Sequence, residues 1–220
     1  MSEITIIGGH GKVALQLSRL LSTQGDTVNA VIRKREQSQD VENTGATPVV
    51  ADVQELDVEA MTELFSGQDA VVWSAGAGGG DPERTYAVDR DAAIRSMDAA
   101  QAAGVTHYVM VSYMGAGQDH GVPEDNDFYS YAQSKADADD HLRASSLEWT
   151  ILGPGTLTDD DPSGEITLGR AGSDDEKKTA RGNVALVAAR ALADPRGTAG
   201  KFIEFSDGDT PIAEALENLG

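Results

Sequence analysis

Apolar residues along this chain gather in short runs rich in Val and Ile, separated by segments in which apolar positions recur at helical spacing. The runs Ile4–Ile7, Thr27–Ile32, Thr47–Ala51, Ala70–Trp73, Tyr108–Ser112 and Trp149–Leu152 are predicted as strands. Their apolar positions are consecutive rather than alternating, as expected of parallel strands buried on both faces. Between the first two runs, Val13, Leu17, Leu20 and Leu21 fall at i, i+4, i+7 and i+8, which makes one stripe along a helix, and Gly25 is a natural stop. Helical patterns return at about 55–65, 81–103 and 128–145. The middle one has Asp81 as candidate N-cap, Pro82 at the first helical position and Gly104 at its end. This alternation predicts an α/β fold: a doubly wound, mainly parallel sheet with right-handed crossovers and helices on both faces. Ligands of such sheets sit beyond the carboxyl ends of the strands.

The last seventy residues are less regular. A strand at Glu165–Leu168, a helix near 183–193, a strand at Lys201–Phe205 and a helix near 212–219 complete the pattern. No internal repeat or proline-rich linker divides the chain, so residues 1–220 are predicted as one domain, with substrate-side loops at about 113–127 and 153–176.

Charge narrows the choice of partner. The chain has 37 acidic and 17 basic residues, a net charge of −20, and its cations are scattered; this excludes a nucleic-acid footprint. The acids are 23 Asp and 14 Glu against 6 Lys and 11 Arg, a bias that suggests adaptation to high salt as one reading and an ordinary acidic protein as the other. Cysteine is absent, which removes disulfides, thiolate metal sites and cysteine nucleophiles. No run reaches the roughly 20 apolar residues of a membrane span, and Met1-Ser2-Glu3 does not open a signal segment. The expectation is a cytoplasmic protein, monomeric or a small homo-oligomer, that acts on a small molecule.

The strongest local signal is Ile7-Gly8-Gly9-His10-Gly11-Lys12-Val13-Ala14, which follows the first strand and opens the first helix. It fits both Gly8-x-x-Gly11-x-x-Ala14 and Gly9-x-Gly11-x-x-Ala14. Either phasing puts small residues at a tight turn, at the approach of a pyrophosphate and where helix meets strand, while the helix N-terminus offers free amides to phosphate. Dinucleotide binding by Gly8, Gly9, His10, Gly11, Lys12 and Val13 is therefore expected. After the second strand come Arg33, Lys34 and Arg35, where an NAD site would carry an acid. This favours NADP(H), with NAD(H) as the second candidate. Asp52 and Val53, after the third strand, are placed to receive adenine, and Ser74, Ala75 and Gly76 end the fourth strand with residues small enough for a ribose to approach.

Tyr131 and Lys135 stand at i and i+4 on one helix face. There the cation is expected to lower the phenol's pKa so that the hydroxyl exchanges a proton during hydride transfer. Ser112, at the end of the fifth strand, is expected to polarise a substrate oxygen. The four histidines suggest structural or surface roles, and the acidic stretches Asp159-Asp160-Asp161 and Asp174-Asp175-Glu176 lack a calcium-loop pattern, so no metal site is expected.

Taken together, Gly8-x-x-Gly11-x-x-Ala14, Ala87-Val88-Asp89-Arg90-Asp91, Val109-Met110-Val111-Ser112, Tyr131-x-x-x-Lys135 and Gly208-Asp209-Thr210-Pro211-Ile212 resemble the atypical short-chain dehydrogenase/reductases, in the NAD(P)-dependent epimerase/dehydratase-like and NmrA-like subgroup. The resemblance spans essentially the whole chain. It implies a single-domain Rossmann fold with coenzyme and substrate in one cleft, and an oxidoreductase acting on a small carbonyl, quinone or flavin-like compound. By the same resemblance Tyr131 is the proton donor, Lys135 holds the ribose, Ser112 orients substrate, and Pro154 lies on the coenzyme side. Two positions depart from the family pattern: Asp89 stands where an asparagine is usual, and Gly153 where an arginine commonly precedes Pro154. A carboxylate cannot relay protons as an amide does. These departures keep open a non-catalytic NADP(H) sensor, and the family keeps open a nucleotide-sugar epimerase.

Overall fold

The computed structural model describes residues 1–78, 80–170, 172 and 177–219, so the Asp174-Asp175-Glu176 stretch and part of the 153–176 loop lie outside the described residues. The first half of the chain runs β1 (Glu3–Ile7), α1 (Lys12–Gln24), β2 (Thr27–Ile32), a 3-10 turn (Arg35–Gln37), α2 (Ser38–Glu42), β3 (Thr47–Val50), α3 (Val58–Leu64) and β4 (Ala70–Trp73). Next come α4 (Pro82–Thr85), a π-helical segment (Tyr86–Ala92), α5 (Ala93–Ala103), β5 (His107–Val111), α6 (Tyr129–Ala144) and β6 (Glu148–Pro154). The remainder is β7 (Thr156–Thr158), β8 (Glu165–Leu168), β9 (Lys178–Ala180), α7 (Arg181–Ala193), α8 (Pro195–Thr198), β10 (Lys201–Asp207), β11 (Thr210–Pro211) and α9 (Ile212–Glu217).

Among the described residues one sheet has the order β11-β8-β10-β6-β5-β4-β1-β2-β3, and β7 pairs with β9 in a second. From β3 across to β10 the neighbours are parallel; β8 lies antiparallel to β10 and to β11. The consecutive apolar residues of each strand divide between the two faces. Ile6, Val72 and Val109 join a core with Leu17, Val184 and Leu216 of α1, α7 and α9, while Ile7, Val71 and Met110 join another with Met61, Met97 and Leu142 of α3, α5 and α6. Period-2 side-chain direction in a sheet covered on both faces produces this division. The chain winds from β1 through β2 to β3 on one side and from β4 outward on the other, which leaves a crevice above β1 and β4.

Several details differ from the sequence expectation. The helix expected over 81–103 begins as foreseen, with Asp81 accepting the Glu83 and Arg84 amides and Gly104 closing in the left-handed region, but its centre widens into the π-helical segment that carries Asp89. The helix expected from residue 55 starts at Val58, because the Asp57 side chain caps it by accepting the Ala60 amide at 2.8 Å. The elements α2, β7, β9 and β11 are too short to show a period.

Candidate active site

A cavity of about 310 Å³ occupies the crevice. Its floor is the first turn. Gly8 has φ +81°, and a Cβ there would lie 2.6 Å from Ala75 Cα, so the exits of β1 and β4 touch only because residue 8 has no side chain. Gly11 is the N-cap of α1, with no side chain capping the helix, which leaves first-turn amides for an outside acceptor. Ala14 is buried at the helix–strand contact. Gly8 and Gly11 line the cavity; Gly9 does not. A Cβ at Gly9 would meet Ala30 Cβ at 2.6 Å, so this glycine serves packing against β2. Of the two glycine phasings, Gly8-x-x-Gly11-x-x-Ala14 is the one that faces the cavity.

The side chains of Lys12 and Val13 also lie off the wall. Lys12 donates to Asp159, which also accepts from Arg181 at 2.8 Å, and Val13 is buried in the core. Of the basic triplet only Arg33 reaches the cavity; Lys34 and Arg35 are exposed where the chain turns into the 3-10 segment. His10 lines the cavity and is fixed from behind, with Nε2 2.8 Å from Asp40 Oδ2 and Nδ1 3.2 Å from Gln37 Nε2. A neutral ring protonated at Nε2 satisfies both contacts. Asp52, Val53, Ser74, Ala75 and Gly76 complete the wall as expected from their strand ends. Asp52 also accepts the Gln54 amide at 3.1 Å, so it shapes its own loop.

Two arginines were not singled out by the sequence. Arg84, on α4, lines the cavity beside Gly76 and with Arg33 supplies its cationic side chains. Arg95, on α5, donates to the carbonyls of Val53, Gln54 and Leu56 at 3.1–3.2 Å and holds the loop after β3 against the helix layer. No local motif marks either one, because each acts across a long sequence separation.

A second cavity, of about 550 Å³, opens beyond β5 and β6. Tyr113, Phe128 and Pro154 line it, with Arg170 and Lys177 at its edge. Pro154 thus belongs to this cavity rather than to the first, since β6 runs on two residues past Leu152. Gly153 leaves room for β10: a Cβ there would lie 2.6 Å from the Phe202 ring. Tyr131 packs behind these aromatics, with ring centroids 5.6 Å from Tyr113 and 5.2 Å from Phe128.

The expected catalytic group clusters around α6 but is wired differently from the expectation. Tyr131 and Lys135 share one face of the helix, and Lys135 is 1% exposed with its Nζ 3.5 Å from Met110 Sδ. Asp89 is equally buried; its Oδ2 accepts the Ala77 amide at 2.9 Å and its Oδ1 has no protein partner. Burial raises the Asp89 pKa, against the pull of Lys135. The expected lowering of the Tyr131 pKa is reversed. Burial drives it strongly upward, and Asp89, Asp139 and Tyr113 add to the rise. Lys135 acts on the two carboxylates instead. Ser112 is buried and donates to Asp139 Oδ2 at 2.6 Å. Asp139 had not been singled out, although it stands one turn beyond Lys135 at i+4. The remaining histidines have local partners: His107 meets Thr150, His120 accepts the Val122 amide, and His141 pairs with Asp98. Among the described residues no group of acids and histidines is arranged to hold a metal, and no helix is long and apolar enough to cross a membrane.

A glycine-floored crevice at the strand-order reversal, uncapped helix amides, two arginines and an acid at the third strand end fit a dinucleotide. Fold and cavity together define a Rossmann-type dinucleotide-binding protein. The model of the NAD(P)H-binding family matches residues 8–195, and the chain belongs to that family. It is 33% identical to the uncharacterized sugar epimerase YhfK of Bacillus subtilis, over 99% of this chain and 100% of that protein. A solved structure from Bacillus halodurans, provisionally named an NAD-dependent epimerase/dehydratase, superposes with a TM-score of 0.89 at 32% identity, with both chains fully covered. The oxidoreductase ylbE of Lactococcus lactis superposes with a TM-score of 0.85 at 29% identity, over 99% of this chain and 96% of that one.

Proposed function

We propose that this protein is an NADP(H)-dependent oxidoreductase that reduces a small carbonyl, quinone or flavin-like compound, with Tyr131 as proton donor. The observation that carries the reading is the packing of Tyr131 directly behind the aromatic wall of the second cavity. Its ring packs on Tyr113 and Phe128 of the second cavity, while its phenol feels Asp89, whose Oδ1 would lie 3.3 Å from a Cβ on Gly76 of the first. Arg33 follows β2 where a 2′-phosphate would lie, which supports NADP(H) over NAD(H). Bound nicotinamide would supply the hydride.

The residues of the chain then account for the proton and the orientation. The half-buried Tyr131 phenol, whose pKa is raised, is protonated at neutral pH and has a proton to give. Lys135 offsets part of the charge of Asp89 and Asp139 in a dry interior. The substrate would occupy the second cavity against Tyr113 and Phe128, below Arg170. The loops at about 113–127 and 153–176 are thereby proposed as the substrate side.

A second reading, epimerisation of a sugar compound by the same groups, is favoured by the name of the Bacillus subtilis relative. NADPH absorbance followed with quinones, flavins and aldehydes separates the readings. Reduction consumes NADPH, and Tyr131→Phe lowers the rate by about 10²–10⁴-fold. Interconversion of a sugar nucleotide by the protein loaded with oxidised coenzyme, which takes the hydride and returns it, with no net consumption of NADPH, supports the epimerase. Binding without either reaction leaves a sensor and overturns the enzyme proposal.

A further inference from the structure

The second cavity has a charge pattern that the proposed chemistry does not use. Its lining, among the described residues, includes the cations Arg170 and Lys177 and no acid. In a chain of net charge −20 this is a local reversal of sign. Opposite the cations, Tyr113 and Phe128 form an aromatic wall, edge to face with ring centroids 5.4 Å apart. Phe128 is 44% exposed, so the protein itself does not close this wall.

The edge is built by contacts from β10 and β6. Gly169 has φ +91° and turns the chain after β8, so that its amide meets the Glu204 carbonyl at 2.8 Å. The Glu204 side chain then holds the next residue: Arg170 Nε donates to Oε1 at 2.8 Å and to Oε2 at 3.1 Å. The same Oε1 accepts the amide of Gly115, which lines the cavity from the other substrate-side loop, at 2.8 Å. Glu204 pairs with Gly153 across β10 and β6, and a Cβ on Gly153 would lie 3.2 Å from Glu204 Cγ, so the bare glycine gives this carboxylate its room. One side chain, 19% exposed, therefore ties both loops together and fixes an arginine whose own side chain is 63% exposed. Lys177 is fixed through its backbone. Its carbonyl accepts the Thr156 amide at 2.7 Å, an approach that a Cβ on Gly155 would block. The Arg170 charge is also felt at the wall: burial and Asp139 push the Tyr113 phenol up, and Arg170 pulls it down.

We infer that the second cavity selects a flat aromatic substrate bearing an anionic group, the rings against Tyr113 and Phe128 and the anion on Arg170, with Glu204 as the positioning residue that aims Arg170. The contact with Glu204 engages Nε, and the two terminal nitrogens of a guanidinium carry four further N–H donors in a planar fork that matches carboxylate or phosphate oxygens. An arginine left to its own rotamers would lose more freedom on meeting the anion than one already held by a carboxylate. The inference rests on the reading of this cavity as the substrate side.

Binding tests it without turnover. Naphthoate, naphthyl phosphate and uncharged naphthol are titrated calorimetrically into the wild type and variants at neutral pH. The wild type is expected to bind at least one anion about tenfold more tightly than naphthol, the better anion naming the group. Arg170→Ala erases this preference, and Phe128→Ala weakens all the probes together. Equal affinity for the probes, a preference that survives Arg170→Ala, or indifference to Phe128→Ala overturns the inference. Glu204→Ala separates aim from charge. Loss of an acid by itself would tighten anion binding, whereas loss of aim weakens it several-fold and has no further effect in the Arg170→Ala background. Tighter binding, or the same loss in that background, overturns the positioning role. If melts show that Glu204→Ala does not fold, Glu204→Gln, which keeps an acceptor for the Gly115 amide, takes its place. In NADPH oxidation, Arg170→Ala is expected to raise KM for a naphthoquinone carboxylate with kcat kept, and to leave the uncharged naphthoquinone unchanged; a rise shared by both counts against the assignment. Absence of turnover with every acceptor counts against the oxidoreductase reading, and the probe titrations then decide the inference alone.

Discussion

Replacing Gly8 by alanine tests whether the coenzyme floor is held by direct backbone contact between β1 and β4. The added Cβ would lie 2.6 Å from Ala75 Cα, 2.7 Å from Ala75 N and 2.8 Å from Ser74 C, on a backbone with φ +81°. The left-handed conformation costs an L-residue about 1–2 kcal/mol. Forcing a methyl into a packed site adds about 1–3 kcal/mol, since backbone atoms cannot rotate away as a side-chain end can. A total near 3 kcal/mol lowers the melting temperature of a chain this size by roughly 6–12 °C. Because Ala75 is itself cavity wall, the strain also displaces the site, and NADPH affinity is expected to fall at least about tenfold, or about 1.4 kcal/mol. Gly67→Ala is the control: its φ is +75°, yet nothing lies within 4 Å of the new Cβ. It incurs only the conformational part and leaves binding intact. Thermal melts with NADPH fluorescence titrations on both variants decide the matter. If Gly8→Ala melts with Gly67→Ala and binds NADPH as the wild type does, the argument from strand contact is wrong.

Other outcomes follow from individual groups. Arg33→Ala is expected to weaken NADPH by roughly 1.5–3 kcal/mol and NADH little, while Lys34→Ala changes neither; equal loss for both coenzymes in titration calorimetry would refute the 2′-phosphate assignment. Burial lowers the His107 pKa from 6.5 to about 4, so the unfolded chain takes up a proton first. Stability tied to this group is therefore present above pH 6.5 and lost as pH falls toward 4, by about 3 kcal/mol. Asp139 works in the opposite direction, since its raised pKa removes stability as pH climbs from 3.8 to about 6. Urea unfolding of His107→Gln across this range is expected to show less acid loss than the wild type. With a net charge of −20, screening of self-repulsion is expected to raise the urea midpoint between low salt and molar KCl; a flat or falling midpoint would remove the salt-adaptation reading.

How far the chain could be read depended on the range over which each residue acts. Val13, Leu17 and Leu21 showed α1 because a helix places its stripe within a few residues, and Asp81, Pro82 and Gly104 marked their helix ends for the same local reason. The consecutive apolar pairs Ile6–Ile7 and Val71–Val72 announced a sheet covered on both sides. The glycine turn was legible as a turn, but Gly9 could not be told from Gly8, since that difference lies in whether Ala30 or Ala75 is the neighbour across the sheet. Gly153 likewise looked like a lost cation until the Phe202 ring was seen against it. Arg84 and Arg95 carry no motif, because their partners come from other strand ends.

The order of the longer strands and helices, the place of the nucleotide turn, and the presence of a tyrosine and a lysine on one helix face were determined by the sequence alone, since each rests on spacing within a single element or between neighbours. Which side chains share a wall, and how their charges act on one another, only the tertiary structure decided. Lys135 stands four residues from Tyr131 and also four from Asp139, yet its charge acts on Asp139 and Asp89, while desolvation and those two carboxylates push the phenol upward; such desolvation is a property of the whole packed chain.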